Sequence, residues 1–169
     1  MTYPDATFDL TLTVMGIMFL SNPERGLEQL HRVSKPGGKC YFTTWHGMES
    51  IDMAKRVVKR LRGEDGNFDY PPQLWKAEME DPKYLVSELE RIGFNECGSE
   101  TTETYLCYPG PNTIDVAMRF LPMLFQRFLN FKDNEKERWL QLWREEFKKY
   151  ETEEGIKIKM WPNYVWGTK

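Results

Sequence analysis

Apolar and β-branched side chains dominate residues 8–15, where Thr11 and Thr13 alternate with Leu10, Leu12 and Val14. The pattern predicts a strand. Asn22 followed by Pro23 is an N-cap with proline at the first helical position, and it opens a helix to about Val33. Lys35-Pro36-Gly37-Gly38 closes that helix and turns the chain into a second apolar run, Cys40-Tyr41-Phe42-Thr43-Thr44-Trp45. Two strands flanking one helix predict a right-handed βαβ crossover and parallel pairing.

Farther on, Ile51, Ala54, Val57, Val58 and Leu61 fall at helical spacing, whereas residues 63–79 show no period and read as a long loop. Asp81-Pro82 repeats the cap-plus-proline signature, and the helix it opens ends at Ile92-Gly93. A strand is expected over residues 98–108. Residues 113–131 are apolar around most of the helical circumference, so this helix is expected to bury nearly all its faces; Pro122 should kink it. Trp139, Leu142, Trp143 and Phe147 mark a further helix over residues 135–150. The chain closes in a strand-like run through Met160 and Trp161 to Trp166, in which Pro162 predicts a bulge or break.

With 169 residues, 40% hydrophobic and 29% charged, the chain has the composition of one soluble globular domain. Its net charge of −3, with signs interspersed, gives no basic stripe for nucleic acid. No signal-like leader or membrane-length apolar run is present, which points to the cytoplasm. Cys40, Cys97 and Cys107 have no CxxC spacing and read as buried thiols, with neither a disulfide framework nor a metal site implied.

The Phe8-Asp9 strand, the Leu27-Glu28-Gln29-Leu30-His31-Arg32-Val33 helix and the Lys-Pro-Gly-Gly turn into Cys40–Trp45 together resemble the second half of class I S-adenosylmethionine-dependent methyltransferases. The likeness is greatest to the small-molecule type of fungal secondary metabolism, and it is weaker after Met79. It implies a truncated Rossmann-like α/β methyltransferase fold: parallel strands, a C-terminal antiparallel pair and helices on the faces. It further implies a single methyltransferase-like domain lacking the N-terminal cofactor-binding half, with residues 63–79 and 113–150 as lid or substrate lobe. The family's glycine-rich turn and acidic ribose-binding residue would lie upstream of residue 8. No cofactor is therefore expected on the isolated chain, and S-adenosylmethionine only if that half is supplied.

Ligands of open α/β sheets bind at the carboxyl ends of the strands, here residues 15–19 and 45–47. His46 is the imidazole in that crevice and a candidate general base. His31, beside Arg32 on the helix, reads as a surface residue. Met15, Phe19, Trp45, Trp75, Phe120, Met123 and Trp161 are the candidate apolar contacts to a small-molecule substrate. Three functions fit: a cyclase, pericyclase or other tailoring enzyme acting without methyl transfer, a fragment of a methyltransferase, or a non-catalytic partner of one. Removing upstream strands would leave residues 8–15 at a sheet edge, so a homodimer or a partner methyltransferase is expected, through residues 8–14 or the face bearing Phe120, Leu124 and Phe128.

Overall fold

The fold is given by a computed structural model, which describes residues 2–63, 76–111, 113–126, 129, 131–132 and 135–169. Trp75, Phe128 and most of the expected 63–79 loop lie outside the described residues. The described chain contains two compact units, each with its own core. One holds β1 (Phe8–Thr13), α1 (Pro23–Val33), nearly all of β2 (Ser34–Met48), α3 (Pro82–Ile92), β3 (Asn95–Thr101) and the end of β6 (Gly155–Thr168). The other holds α2 (Glu49–Arg62), β4 (Thr104–Pro109), α4 (Ile114–Gln126), α5 (Glu135–Phe147), the short β5 (Glu151–Thr152) and the start of β6.

In the strand unit the predicted βαβ crossover is present: β1 pairs parallel with β2, and the order is β1-β2-β6-β3. Asn22 caps α1 by accepting from Arg25 N at 2.8 Å, with Pro23 in its first turn. The Lys-Pro-Gly-Gly segment is a bulge inside β2 rather than a separate turn, because the register jumps from Phe8↔Ser34 to Leu10↔Lys39. Gly37 has φ +78°, and a Cβ on Gly38 would lie 2.8 Å from the Lys35 carbonyl oxygen. Both positions require glycine. Leu27, Leu30, Cys40, Phe42, Leu85 and Leu89 form the core between helices and sheet.

The expected strand over residues 98–108 is two strands. β3 ends at Thr101 opposite Asn163, and β4 begins at Thr104 opposite Met160. Pro162 is the cause: its carbonyl accepts from Thr102 N at 3.3 Å, but it has no N–H to return. The break therefore falls in the partner, while β6 itself continues through Pro162, contrary to the expectation.

Several exposures differ from the sequence reading. Thr11 is buried whereas Leu10, Leu12 and Val14 are exposed, since the short hydroxyl side points at the core beside Ser34. α4 does not bury all its faces: Val116, Phe120, Met123 and Leu124 remain exposed, because α5 and α2 cover only the Ala117, Leu121 and Phe125 side. His31 is half-buried, edge-on to Phe94 with ring centroids 4.8 Å apart, and burial with the nearby Lys169 charge lowers its pKa. Of the cysteines only Cys40 is buried; Cys107 is exposed.

Candidate functional site

β1 and β2 run parallel, with β1 ending beside Phe42 and β2 continuing to Met48, so both strands point their carboxyl ends the same way. After β1 the chain reverses through Met15, whose φ of +48° is a left-handed conformation that a long side chain seldom adopts. Its N–H is held by Thr43 Oγ1 on β2 at 2.9 Å, which fixes the turn into the one-turn 3-10 helix Ile17–Phe19. Ile17 and Met18 are driven into the core, and Phe19 is left exposed. Met15 and Trp45 pack partly buried against the same core.

His46 is exposed at the end of β2, and its Nδ1 lies 3.0 Å from the Glu80 carbonyl oxygen. A carbonyl can only accept, so the neutral ring donates from Nδ1 and keeps the lone pair on Nε2. Asn163 sets the position of that carbonyl. Fully buried, it donates from Nδ2 to Glu80 O at 3.0 Å and to Thr44 Oγ1 at 3.3 Å, and its Oδ1 accepts from Thr101 Oγ1 at 2.6 Å. The chain Thr101, Asn163, Glu80, His46 thus joins β3, β6 and the segment before α3 to the end of β2. Trp161 lies against Gly47, where an added Cβ would meet its ring at 3.4 Å.

Met15 and Trp45 thus pack on one core, His46 follows Trp45 at the end of β2, Trp161 lies against Gly47, and Phe19 is on the helical turn after β1. Phe120 and Met123 lie on α4 in the helical unit, exposed on its outer face, and Trp75 lies outside the described residues. Reading the sequence missed the Glu80 carbonyl and Asn163. A polar residue directly after Pro162 in an apolar strand was the available signal for Asn163. A backbone carbonyl leaves no trace in residue identity.

These residues do not by themselves fit S-adenosylmethionine. Gly16, which follows β1, precedes a 3-10 helix of three residues, too short to present a row of free N–H groups. The carbonyl at Glu80 is already engaged twice, by His46 and by Asn163. No group of three or more potential metal ligands occurs among the described residues either.

Comparison with known proteins agrees with this architecture. Residues 1–42 match the methyltransferase domain family. The ubiquinone/menaquinone biosynthesis C-methyltransferase UbiE of Hydrogenovibrio crunogenus is 46% identical over 107 residues, covering 57% of this chain and 42% of that protein. The mitochondrial arginine-hydroxylase NDUFAF5 of Rattus norvegicus is 28% identical over 108 residues, covering 64% of this chain and 30% of that protein. The chain thus spans less than half the length of these curated relatives. Among solved structures, a Bacillus halodurans protein assigned as a methyltransferase superposes with a TM-score of 0.54 at 14% identity, over 100% of this chain and 67% of that one. With parallel β1 and β2, the antiparallel β3–β6 pair and helices on the sheet, the chain is methyltransferase-like and carries the Rossmann-like fold of class I methyltransferases.

Proposed function

We propose that this chain forms the substrate side of an S-adenosylmethionine-dependent methyltransferase acting on an apolar small molecule, with His46 as the general base. The observation that carries the reading is the Glu80 carbonyl on His46 Nδ1, which leaves Nε2 as a free proton acceptor at the strand ends. Trp45, Met15 and Trp161 supply apolar surface beside it, and Phe19 adds an exposed ring. An apolar phenol or hydroquinone suits these groups: its ring stacks on indole while its O–H gives a proton to Nε2. The name of the Hydrogenovibrio relative, a C-methyltransferase of ubiquinone and menaquinone biosynthesis, supports the same substrate class. Deprotonation raises the electron density of the ring, so one base serves methylation at oxygen or at carbon. Confinement of a flexible apolar substrate for cyclisation would use the same walls, but no feature of the His46 network favours it over proton removal.

The test combines a spectrum with a rate. Long-range proton–nitrogen correlation should show His46 protonated on Nδ1 near neutral pH. Methyl transfer to 2-naphthol, with the cofactor-binding half supplied, should fall by about 10²-fold in His46→Ala. A proton found on Nε2, or an unchanged rate, would remove the base. Trp45→Ala should weaken 2-naphthol binding without changing the His46 spectrum; unaltered binding would place the substrate elsewhere.

A further inference from the structure

Within the helical unit, α4 and α5 flank an open cleft of about 460 Å³ lined by Met118, Arg119, Leu140, Gln141 and Arg144. That volume suits a small organic ligand. Its polar groups are donors. The Arg119 guanidinium is exposed and has no side-chain partner among the described residues. Arg144 donates from one nitrogen to Asp115 at 2.7 Å, and Gln141 donates from its amide to Glu145 at 3.2 Å, so both retain further N–H groups. The carboxylates beside them are matched by cations, Asp115 by Arg144 and Glu145 by Arg60, which leaves Arg119 as the uncompensated charge of the lining. Met118 and Leu140 supply its apolar part. Val116 and Met123, one turn before and after Arg119 on α4, extend the apolar surface and are 57 and 55% exposed.

We infer that the α4–α5 cleft binds a small carboxylate with an apolar tail, its head on Arg119 and the remaining donors of Arg144 and Gln141, its tail on Met118 and Leu140. Charge and surface together select this class. An inorganic anion would satisfy the guanidinium and leave Met118 and Leu140 in water, whereas an uncharged hydrocarbon would cover Arg119 without pairing it. A planar carboxylate meets the fork of an arginine with two parallel hydrogen bonds while its chain covers the apolar wall. Polyanions and anionic membranes fit less well, because the whole chain carries a net charge of −3 and the lining offers one unmatched cation. Binding there does not depend on the chemistry proposed for His46.

The experiment titrates the chain with decanoate, using acetate as the head alone and 1-decanol as the tail alone. Calorimetry should show one decanoate bound per chain, at least about tenfold tighter than either control, and backbone amide signals of residues 118, 119, 140, 141 and 144 should move together. Arg119→Gln should weaken decanoate by about tenfold or more, the loss expected for a charged hydrogen bond, and bring it near 1-decanol. Leu140→Asp, on exposed α5 surface, should abolish binding while helical circular dichroism is kept. Arg25→Gln removes an equally accessible cation from α1 in the strand unit and should change nothing. Absence of decanoate binding would overturn the site, as would equal affinity for 1-decanol or binding indifferent to Arg119→Gln. Flotation of the chain with vesicles of phosphatidate in phosphatidylcholine, lost in Arg119→Gln and without binding of free decanoate, would assign the cleft to a lipid headgroup and overturn the free carboxylate.

Discussion

The helical unit and the strand unit both leave apolar side chains in water, but they do so at different cost. In the helical unit the exposed Val116, Phe120, Met123 and Leu124 sit on α4, whose backbone groups bond within the helix. In the strand unit Leu10, Leu12 and the adjoining Val14 sit on or beside a strand that pairs only with β2 among the described residues. A helix needs only one stripe covered, whereas a parallel strand needs two neighbours and two covered faces. The helical unit meets its need internally. Trp139, Leu142, Trp143 and Phe147 are fully buried along α5, and Trp143 stacks on Phe125 with centroids 5.6 Å apart. Trp139 Nε1 reaches the Pro122 carbonyl at 3.4 Å, using helix α4 at the very residue that lacks an N–H. Antiparallel to α5, α2 adds three ion pairs in sequence: Arg56 with Glu146, Arg60 with Glu145, and Arg62 with Glu135. The lesson is that exposed hydrocarbon on a helix leaves its backbone satisfied, whereas on a strand paired along one edge it does not.

The largest effect expected lies in the helical unit. Trp143→Ala removes a fully buried ring from the centre of an aromatic cluster, so it should cost about 3–5 kcal/mol in denaturant unfolding. A loss below about 1 kcal/mol would mean that the helical core is not tightly packed and that the contrast between the units is smaller than it looks.

Glu146 comes next. Its side chain is fully buried between Arg56 and Lys149, whose own side chains remain 44 and 57% exposed. Glu146→Ala should cost about 1–2 kcal/mol, less than breaking a wholly buried pair, because the two cations left behind rehydrate. Acid should act on the same helix. Burial pushes the Glu146 carboxyl up, but Lys149 and Arg56 outweigh it and leave its pKa below the usual 4.5. The Arg62 guanidinium holds Glu135 further down, at about 2. A depressed carboxylate pKa contributes stability that is full above 4.5 and is lost as pH falls through the folded value. Unfolding of the α5 region should therefore advance between about pH 4.5 and pH 2. Circular dichroism across that window should show it, and helicity unchanged to pH 2 would rule out these pairs as stabilising contacts.

The smallest effect is the most diagnostic. Leu12→Ser, on the bare face of β1, should change the stability of the chain by less than about 0.5 kcal/mol, since the side chain has little burial to lose. A loss of 2 kcal/mol or more would show that the face is covered by the chain itself and would erase the distinction between the two units.

Much of this was legible in residue order. Asn22-Pro23 and Asp81-Pro82 announce two helix starts, and Gly93, with φ +108°, closes the second. Apolar runs on either side of α1 fix a parallel pair, and chain connectivity then points the carboxyl ends of β1 and β2 the same way, so His46 and Met15 could be nominated from sequence alone. These are local or topological facts, decided by caps, φ preferences and the handedness of the crossover. Which face of β1 turned outward was not, because Leu-Thr alternation gives the period but burial depends on what α1 packs against. The pairing of Pro162 with Thr102 likewise moved the break from β6 to its neighbour. Above all, the orientation of His46 depends on the Glu80 carbonyl, 34 residues on, which is held by Asn163 a further 83 residues along the chain. Hydrogen bonds to backbone carbonyls across such separations exist only once the chain has folded, and so the sequence determined which imbidazole stands at the strand ends while the tertiary structure decided which of its nitrogens is free.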